Sequence, residues 1–377
     1  MRILLLFGTR PEAIKMAPVV YELKKRAEVD FKVCVTAQHR ELLDTVLDTF
    51  KISVDYDLNI MRTGQSLQSL VVDILPRLTE VMQQWRPDYV LVHGDTATTF
   101  ISSLAAFYLK IPIGHVEAGL RTYDIYSPWP EEANRRLTGV LATFHFAPTK
   151  QARQHLLNEQ VPDKNIIVTG NTVIDALMLA VQRLEQPQFR DAIHAQFKFL
   201  DAFKRMVLVT IHRRENHGVP LTHITQAIRQ LSQVYLDTAF VLPLHPNPEV
   251  RLYLQENLAG LDNIFLLPPQ EYLPFVYLMT RAYFILSDSG GIQEEAPALD
   301  KPVLVLRNTT ERPEVLETGA IKLVGHDSQK IVHYSQKLFE EPGFFARMAD
   351  AENPFGDGTA AKQIVDALLK QYTVKTH

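Results

Sequence analysis

The sequence predicts an α/β protein built from two doubly wound, Rossmann-like domains. Apolar runs of strand type alternate with amphipathic helices, which indicates parallel sheet covered on both faces. The alternation proceeds, breaks, and restarts. At 377 residues the chain also exceeds what one hydrophobic core usually holds, so two domains are expected on length alone.

Arg2–Phe7 reads as a buried strand, followed by the turn Gly8-Thr9-Arg10-Pro11-Glu12. Pro11 suits a first helical position, and Ile14, Met16, Ala17, Val20 and Leu23 recur at helical spacing up to Lys24-Lys25-Arg26. Next come strand Phe31–Thr36, helix His39–Phe50, helix Leu67–Gln84, strand Tyr89–His93 ending at Gly94-Asp95-Thr96, helix Thr99–Leu109 and strand Ile113–Glu117. Ser127-Pro128-Trp129-Pro130-Glu131 predicts a stiff, extended approach to a helix Glu132–Leu141, because a residue before proline is pushed away from helical backbone. From Leu184 to Arg205 strand patterning is lost, which places the domain boundary between Thr169 and Lys204. The pattern then resumes: strand Met206–Ile211, helix Thr222–Tyr235, strand Ala239–Leu244, helix Glu249–Asn257, strand Ile264–Leu267, helix Leu273–Arg281 and strand Tyr283–Leu286.

Composition narrows the function. Hydrophobic residues at 46% and charged residues at 22% are ordinary for a globular protein, and a net charge of -4 offers no basic field for nucleic acid or anionic membrane. Any anion site must be local. Cys34 is the only cysteine, so no intrachain disulfide or cysteine-rich metal cluster can form, as suits a reducing cytosol. Met1–Phe7 is too short for a signal-peptide core and no apolar stretch reaches spanning length, so a cytoplasmic location is expected.

The chemistry concentrates where strands end. Ser287-Asp288-Ser289-Gly290-Gly291 turns a strand directly into a helix carrying Gln293, Glu294 and Glu295. Two glycines permit close backbone approach, and free N–H groups at the helix start favour an anion such as phosphate. An acidic residue just behind, Glu295, suits ribose hydroxyls. The same pattern also fits a plain βα turn whose acidic residues serve only the helix dipole. Arg10, Lys15, Asp95 and Glu117 gather at strand ends of the first series, Glu131 continues the acidic series at a helix start, and His212-Arg213 and His245 follow strand ends of the second. Ligands of doubly wound sheets gather at such ends. The histidines lack zinc-ligand spacing and no metal is assigned; Asp55-Tyr56-Asp57 resembles an acidic metal-binding triplet but stands alone. The turn after Phe7 is not a dinucleotide fingerprint, so no cofactor is assigned.

The blocks GTRPEAIKMAP, TAQHRELLD, VHGDT, GHVEAGLRT, SPWPEEANRRLTG, GNTVIDAL, HRREN, PQEYLPF, SDSGGIQEEAP, TTERPE and NPFGDG, in this order along nearly the whole chain, closely resemble the bacterial non-hydrolysing UDP-N-acetylglucosamine 2-epimerases. The resemblance implies the GT-B fold, with the active site in the interdomain cleft. It implies an N-terminal domain of residues 1–170 to which a C-terminal helix within 362–377 returns, and a UDP-binding domain of residues 171–361. Arg10, Lys15, Asp95, Glu117, His212, Arg213, Gln270, Phe275, Ser289, Gly290, Gly291, Glu295 and Arg312 would contact the UDP-sugar, with Phe275 by the uracil. Asp95, Glu117, Glu131 and His212 match the proposed catalytic groups. Gln38, His39, Gln65, Arg213 and His245 match parts of an allosteric substrate site carried by many members. Ile211 stands where many members have a small residue, and Glu41 where some have glutamine. The expected partners are UDP-N-acetylglucosamine, UDP and a second subunit in a homodimer, without nucleic acid or membrane.

The implied reaction inverts carbon 2 of the sugar, whose proton is too weakly acidic for direct removal. Breaking the C1–O bond to UDP makes it labile, so elimination to a 2-acetamidoglucal and re-addition from the other face requires cations at the pyrophosphate and carboxylates on both faces. A hydrolysing 2-epimerase, a GT-B glycosyltransferase and a non-catalytic UDP-sugar-binding module remain as alternatives; the last has no need of Asp95, Glu117 and Glu131.

Overall fold

A computed structural model describes residues 1–36, 40–60, 65–245 and 247–376. They form two compact units, Met1–Ala176 with Phe355–His377, and Leu177–Pro354. Each is a parallel sheet wrapped by helices, a Rossmann-like architecture.

In the first unit the strands are β1 (Arg2–Phe7), β2 (Asp30–Val35), β3 (Tyr56–Asp57), β4 (Tyr89–His93), β5 (Ile113–Val116), β6 (Phe144–Ala147) and β7 (Ile166–Val168). Their order in the sheet is β3-β2-β1-β4-β5-β6-β7. Leu4 and Leu6 of β1 lie opposite Val90 and Val92 of β4. Ile3 to Phe7 are inaccessible to solvent, as expected of a central strand buried on both faces. Where β1 ends, Gly8 lets the chain pass close to its neighbours: a Cβ there would lie 2.1 Å from the Thr36 hydroxyl.

Three buried histidines interrupt these apolar strands. Burial lowers the pKa values of His93 to about 4, His115 to about 3 and His145 to about 4, so all three are neutral imidazoles at neutral pH. The helix Ala360–Thr376 completes this unit. It packs against the helix Arg10–Lys24, with Arg26 bonded to Asp366 at 2.7 Å. Asp175 accepts its first N–H groups, from Ala360 at 3.2 Å and Ala361 at 2.8 Å.

In the second unit β8 (Arg205–Thr210), β9 (Thr238–Pro243), β10 (Ile264–Leu267), β11 (Phe284–Ser287), β12 (Val303–Val305) and β13 (Ile321–Leu323) are ordered β10-β9-β8-β11-β12-β13. Val207, Val209, Phe240, Leu242, Phe284, Leu286 and Leu304 supply the sheet side of its core. Strand order reverses between β1 and β4 in the first sheet and between β8 and β11 in the second. Chains leaving such neighbours diverge to opposite faces and open a crevice at the strand ends.

One local expectation is overturned. The stretch before Glu131 turns tightly instead of approaching in extended form, and the Ser127-Pro128 and Trp129-Pro130 bonds are both cis. A tertiary X–Pro amide prefers trans by only about 0.5–1 kcal/mol, so local packing decides the isomer. The helix that follows spans Glu131–Leu141, so Glu131 is its first residue.

Candidate active site

The first unit assembles its charged residues on the turns after β1, β4 and β5. Arg10 opens the helix Arg10–Lys24, and Lys15 lies farther along it. The turn is held by Glu12, which is 2% exposed. One carboxylate oxygen accepts the N–H groups of Gly8 at 3.0 Å and Thr9 at 2.8 Å, and the other accepts the Thr96 hydroxyl at 2.7 Å. Glu12 therefore ties the loop bearing Arg10 to the loop bearing Asp95.

Glu117, immediately after β5, has φ +63°, a left-handed conformation uncommon for a residue with a side chain. Lys15 Nζ and Asn171 Nδ2 both donate to its Oε2, the amide at 2.9 Å. His93 Nε2 lies 3.8 Å from the same oxygen. A carboxylate placed by an unfavourable backbone and met by a lysine and an amide is the kind of strained, convergent arrangement found at functional sites.

Asp95 lies two residues beyond β4. Arg135 reaches its Oδ2 through Nε at 2.9 Å and Nη2 at 2.7 Å, while Asn134 donates to the Asp95 carbonyl at 2.9 Å. The same guanidinium bonds Glu132 at 3.3 Å. Glu132 is fully buried and accepts the N–H groups of Thr122 and Tyr123, each at 3.1 Å. Glu131 and Glu132 thus divide the work of one helix start: Glu132 turns inward to fasten the preceding loop, and Glu131 stays half-buried.

In the second unit a cavity of about 260 Å³ opens at the ends of β8, β9 and β11. His212, His245, Gln270, Phe275, Ser289, Gly291 and Glu295 line it, together with Ile211. Phe275 supplies an aromatic wall and Glu295 a carboxylate. Gly290 begins the helix Gly290–Glu295. A Cβ on Gly290 would lie 3.6 Å from guanidinium nitrogens of both Arg213 and Arg312, so two cations flank the backbone turn. Arg312 is itself bonded to Glu294. A base or aromatic body against Phe275, hydroxyls at Glu295 and an anion by the arginines is what this geometry accommodates.

Of the residues matched to a second substrate site, Gln38 and His39 lie outside the described residues. Gln65 donates to Asp73 at 2.8 Å in the first unit; Arg213 flanks Gly290, and the rings of His245 and His212 are 6.0 Å apart in the second. Glu12, Asn171, Arg135 and Asp288 carry no assigned role in the sequence, although all four sit inside the motifs that mark the resemblance. A single polar letter in a motif does not tell whether its side chain faces ligand or backbone.

The sequence profile of the UDP-N-acetylglucosamine 2-epimerase family matches residues 21–369. The UDP-N-acetylglucosamine 2-epimerase of Neisseria meningitidis serogroup A is 55% identical over 370 residues, covering 98% of this chain and 100% of that one. A crystal structure of the N. meningitidis enzyme bound to UDP-GlcNAc superposes with a TM-score of 0.89 at 56% identity, covering 98% of this chain and 100% of that one. A UDP co-structure from S. aureus gives 0.87 at 45% identity, covering 100% and 98%. Motif order, fold and whole-length similarity agree, and the chain belongs to the UDP-N-acetylglucosamine 2-epimerase family.

Proposed function

We propose that this chain is a non-hydrolysing epimerase that interconverts UDP-N-acetylglucosamine and UDP-N-acetylmannosamine. The observation that carries the reading is the pair of carboxylates at adjacent strand ends, Asp95 after β4 and Glu117 after β5. The second is held in left-handed backbone beside Lys15. An enzyme that only bound the nucleotide would have no use for that strained acid.

The residues divide the reaction between them. Phe275, Gln270, Glu295 and Ser289–Gly291 hold uracil, ribose and phosphates. Arg10, Lys15, His212, Arg213 and Arg312 offset the charge that gathers on UDP as the C1–O bond breaks. Positive charge developing at C1 acidifies the C2 proton, which passes to a carboxylate among Asp95, Glu117 and Glu131, leaving UDP and a 2-acetamidoglucal. Return of UDP to C1, with a proton delivered to C2 from the opposite face, completes inversion with atoms balanced. The reading carries with it a homodimer, a cytoplasmic location and a product consumed in surface polysaccharide synthesis, as the family resemblance implies.

A proton NMR time course with UDP-N-acetylglucosamine in deuterated water tests it. The expected product is UDP-N-acetylmannosamine carrying deuterium at C2. Free N-acetylmannosamine with UDP would show a hydrolysing enzyme instead, and product that retains the original C2 hydrogen would refute elimination.

A further inference from the structure

Asp288 has no role in the scheme above, yet its side chain is wholly inaccessible and densely bonded. Ser287 of β11 lies opposite Thr210 of β8, so the residues just beyond the two strands, Asp288 and Ile211-His212, leave side by side. Asp288 Oδ2 accepts the backbone N–H groups of His212 and Arg213, each at 2.9 Å, and the Asn216 side-chain amide at 2.9 Å. Oδ1 lies 2.8 Å from His212 Nδ1. Burial by itself would raise the Asp288 pKa, but the bonds from the His212 ring and from the backbone of Arg213 and His212 outweigh it and bring it below the ordinary value. The carboxylate is therefore charged at neutral pH.

His212 differs in exposure: its side chain is 35% accessible and lines the cavity beside Ser289 and Gly291. The partner of one imidazole nitrogen decides what the other can do. A buried carboxylate at Nδ1 fixes the tautomer that carries a proton there and orients the ring.

We propose that Asp288 is the positioning residue of His212, holding Nδ1–H inward so that Nε2 is the nitrogen presented to the pyrophosphate of a bound UDP-sugar. This rests on the reading given under Proposed function and adds to it the group that makes His212 competent. Asp288 acts through the ring and does not itself meet substrate. Asn216 fixes the carboxylate in turn, because its amide also bonds the Leu306 carbonyl at 3.1 Å and so anchors Asp288 to the sheet.

The test compares D288N, H212N and the double variant. An asparagine oxygen still accepts the two backbone N–H groups, but its amide cannot accept from Nδ1–H as the second carboxylate oxygen does. D288N is expected to lose roughly 10²–10⁴-fold in turnover, with UDP affinity by calorimetry falling far less. The double variant should match H212N within about twofold, because the two residues act as one unit. Losses that multiply would overturn the proposal, since a purely structural Asp288 would cost the same whether or not the ring is present. Should D288N fail to fold, the wild-type protein answers alone. With ¹⁵N-labelled histidine, the His212 signals, assigned by their absence in H212N, should show a proton on Nδ1 at pH 7. A bare Nδ1 would overturn the proposal. This readout needs no turnover, so it stands apart from failure of the epimerase reading, which would appear as wild-type protein that does not convert substrate.

Discussion

Replacing Glu12 separates shape from charge at the joint between the turn after β1 and the turn after β4. In Glu12→Ala the N–H groups of Gly8 and Thr9 lose the acceptor they share. Leaving a buried donor unmet costs about 1–3 kcal/mol, so two of them cost roughly 2–6 kcal/mol, a large part of the about 5–15 kcal/mol that holds a typical domain together. Glu12→Gln should behave differently. Its amide oxygen serves the same N–H groups, its NH₂ faces the Thr96 and Thr99 hydroxyls, and those rotate to accept. Burial raises the Glu12 pKa above 4.5 and outweighs the hydrogen bonds from Thr96, Thr9 and Gly8. Between those two values the folded chain binds more protons than the unfolded one. The carboxyl's contribution is therefore full below about 4.5 and declines as pH rises through the folded value. Glutamine does not titrate. Urea denaturation between pH 5 and 8 should show wild type losing ground to Glu12→Gln as pH rises, with Glu12→Ala least stable throughout. An advantage of wild type over Glu12→Gln that grows with pH would refute this account of the buried carboxylate.

Other changes probe the remaining parts. Phe275→Ala and Glu295→Ala should each weaken UDP binding by about 1–3 kcal/mol in calorimetry while melting temperatures stay near wild type; unchanged affinity in both would remove the cavity from the nucleotide site. Asp95→Asn, Glu117→Gln and Glu131→Gln should each slow epimerisation by about 10²–10⁴-fold with UDP still bound, and near-normal turnover in all three would sink the proton-transfer scheme. Gly119 has φ +92° and faces the Ala152 carbonyl, 2.3 Å from where a Cβ would stand, so Gly119→Ala should leave little soluble folded protein on expression. Asp175→Ala removes the acceptor for the start of the helix Ala360–Thr376 and should cost about 0.5–2 kcal/mol, visible as faster proteolysis of that helix.

Much of the fold was legible because it is written in long apolar runs. Arg2–Phe7 and Tyr89–His93 coincide with β1 and β4, and the second series of strands falls within a residue or so of β8 to β11. Shorter strands escaped for physical reasons. The paired residues of β3 are Tyr56 and Asp57, β6 carries a histidine between two phenylalanines, and β7, though apolar, is only three residues long. The candidate site divides in the same way. Of the residues proposed to meet the ligand, Asp95, Glu117 and Ser289 stand at turns after strands, and Lys15 lies in the helix that follows one. Residues that bind backbone or neighbouring side chains instead, such as Glu12 and Asp288, are indistinguishable from them until the structure shows which way each carboxylate turns. The left-handed backbone at Glu117 had no signal at all, since nothing in Val-Glu-Ala requires it.

The chain's route through its first unit has a consequence for how the protein is made. That unit needs Phe355–His377 as well as Met1–Ala176, and the Asn171 N–H meets the Phe355 carbonyl at 2.7 Å across everything synthesised between them. Emerging from the ribosome, the first sheet is finished long before its last helix exists, so the surface of Arg10–Lys24 that this helix covers must wait uncovered while the entire second unit is translated. Although first in sequence, the half that carries Asp95 and Glu117 is the last to reach its final packing. Chains broken off near their end therefore yield a complete second unit beside an unsealed first one. Quality control would meet such a species, broken before this last helix, as the uncovered face of Arg10–Lys24.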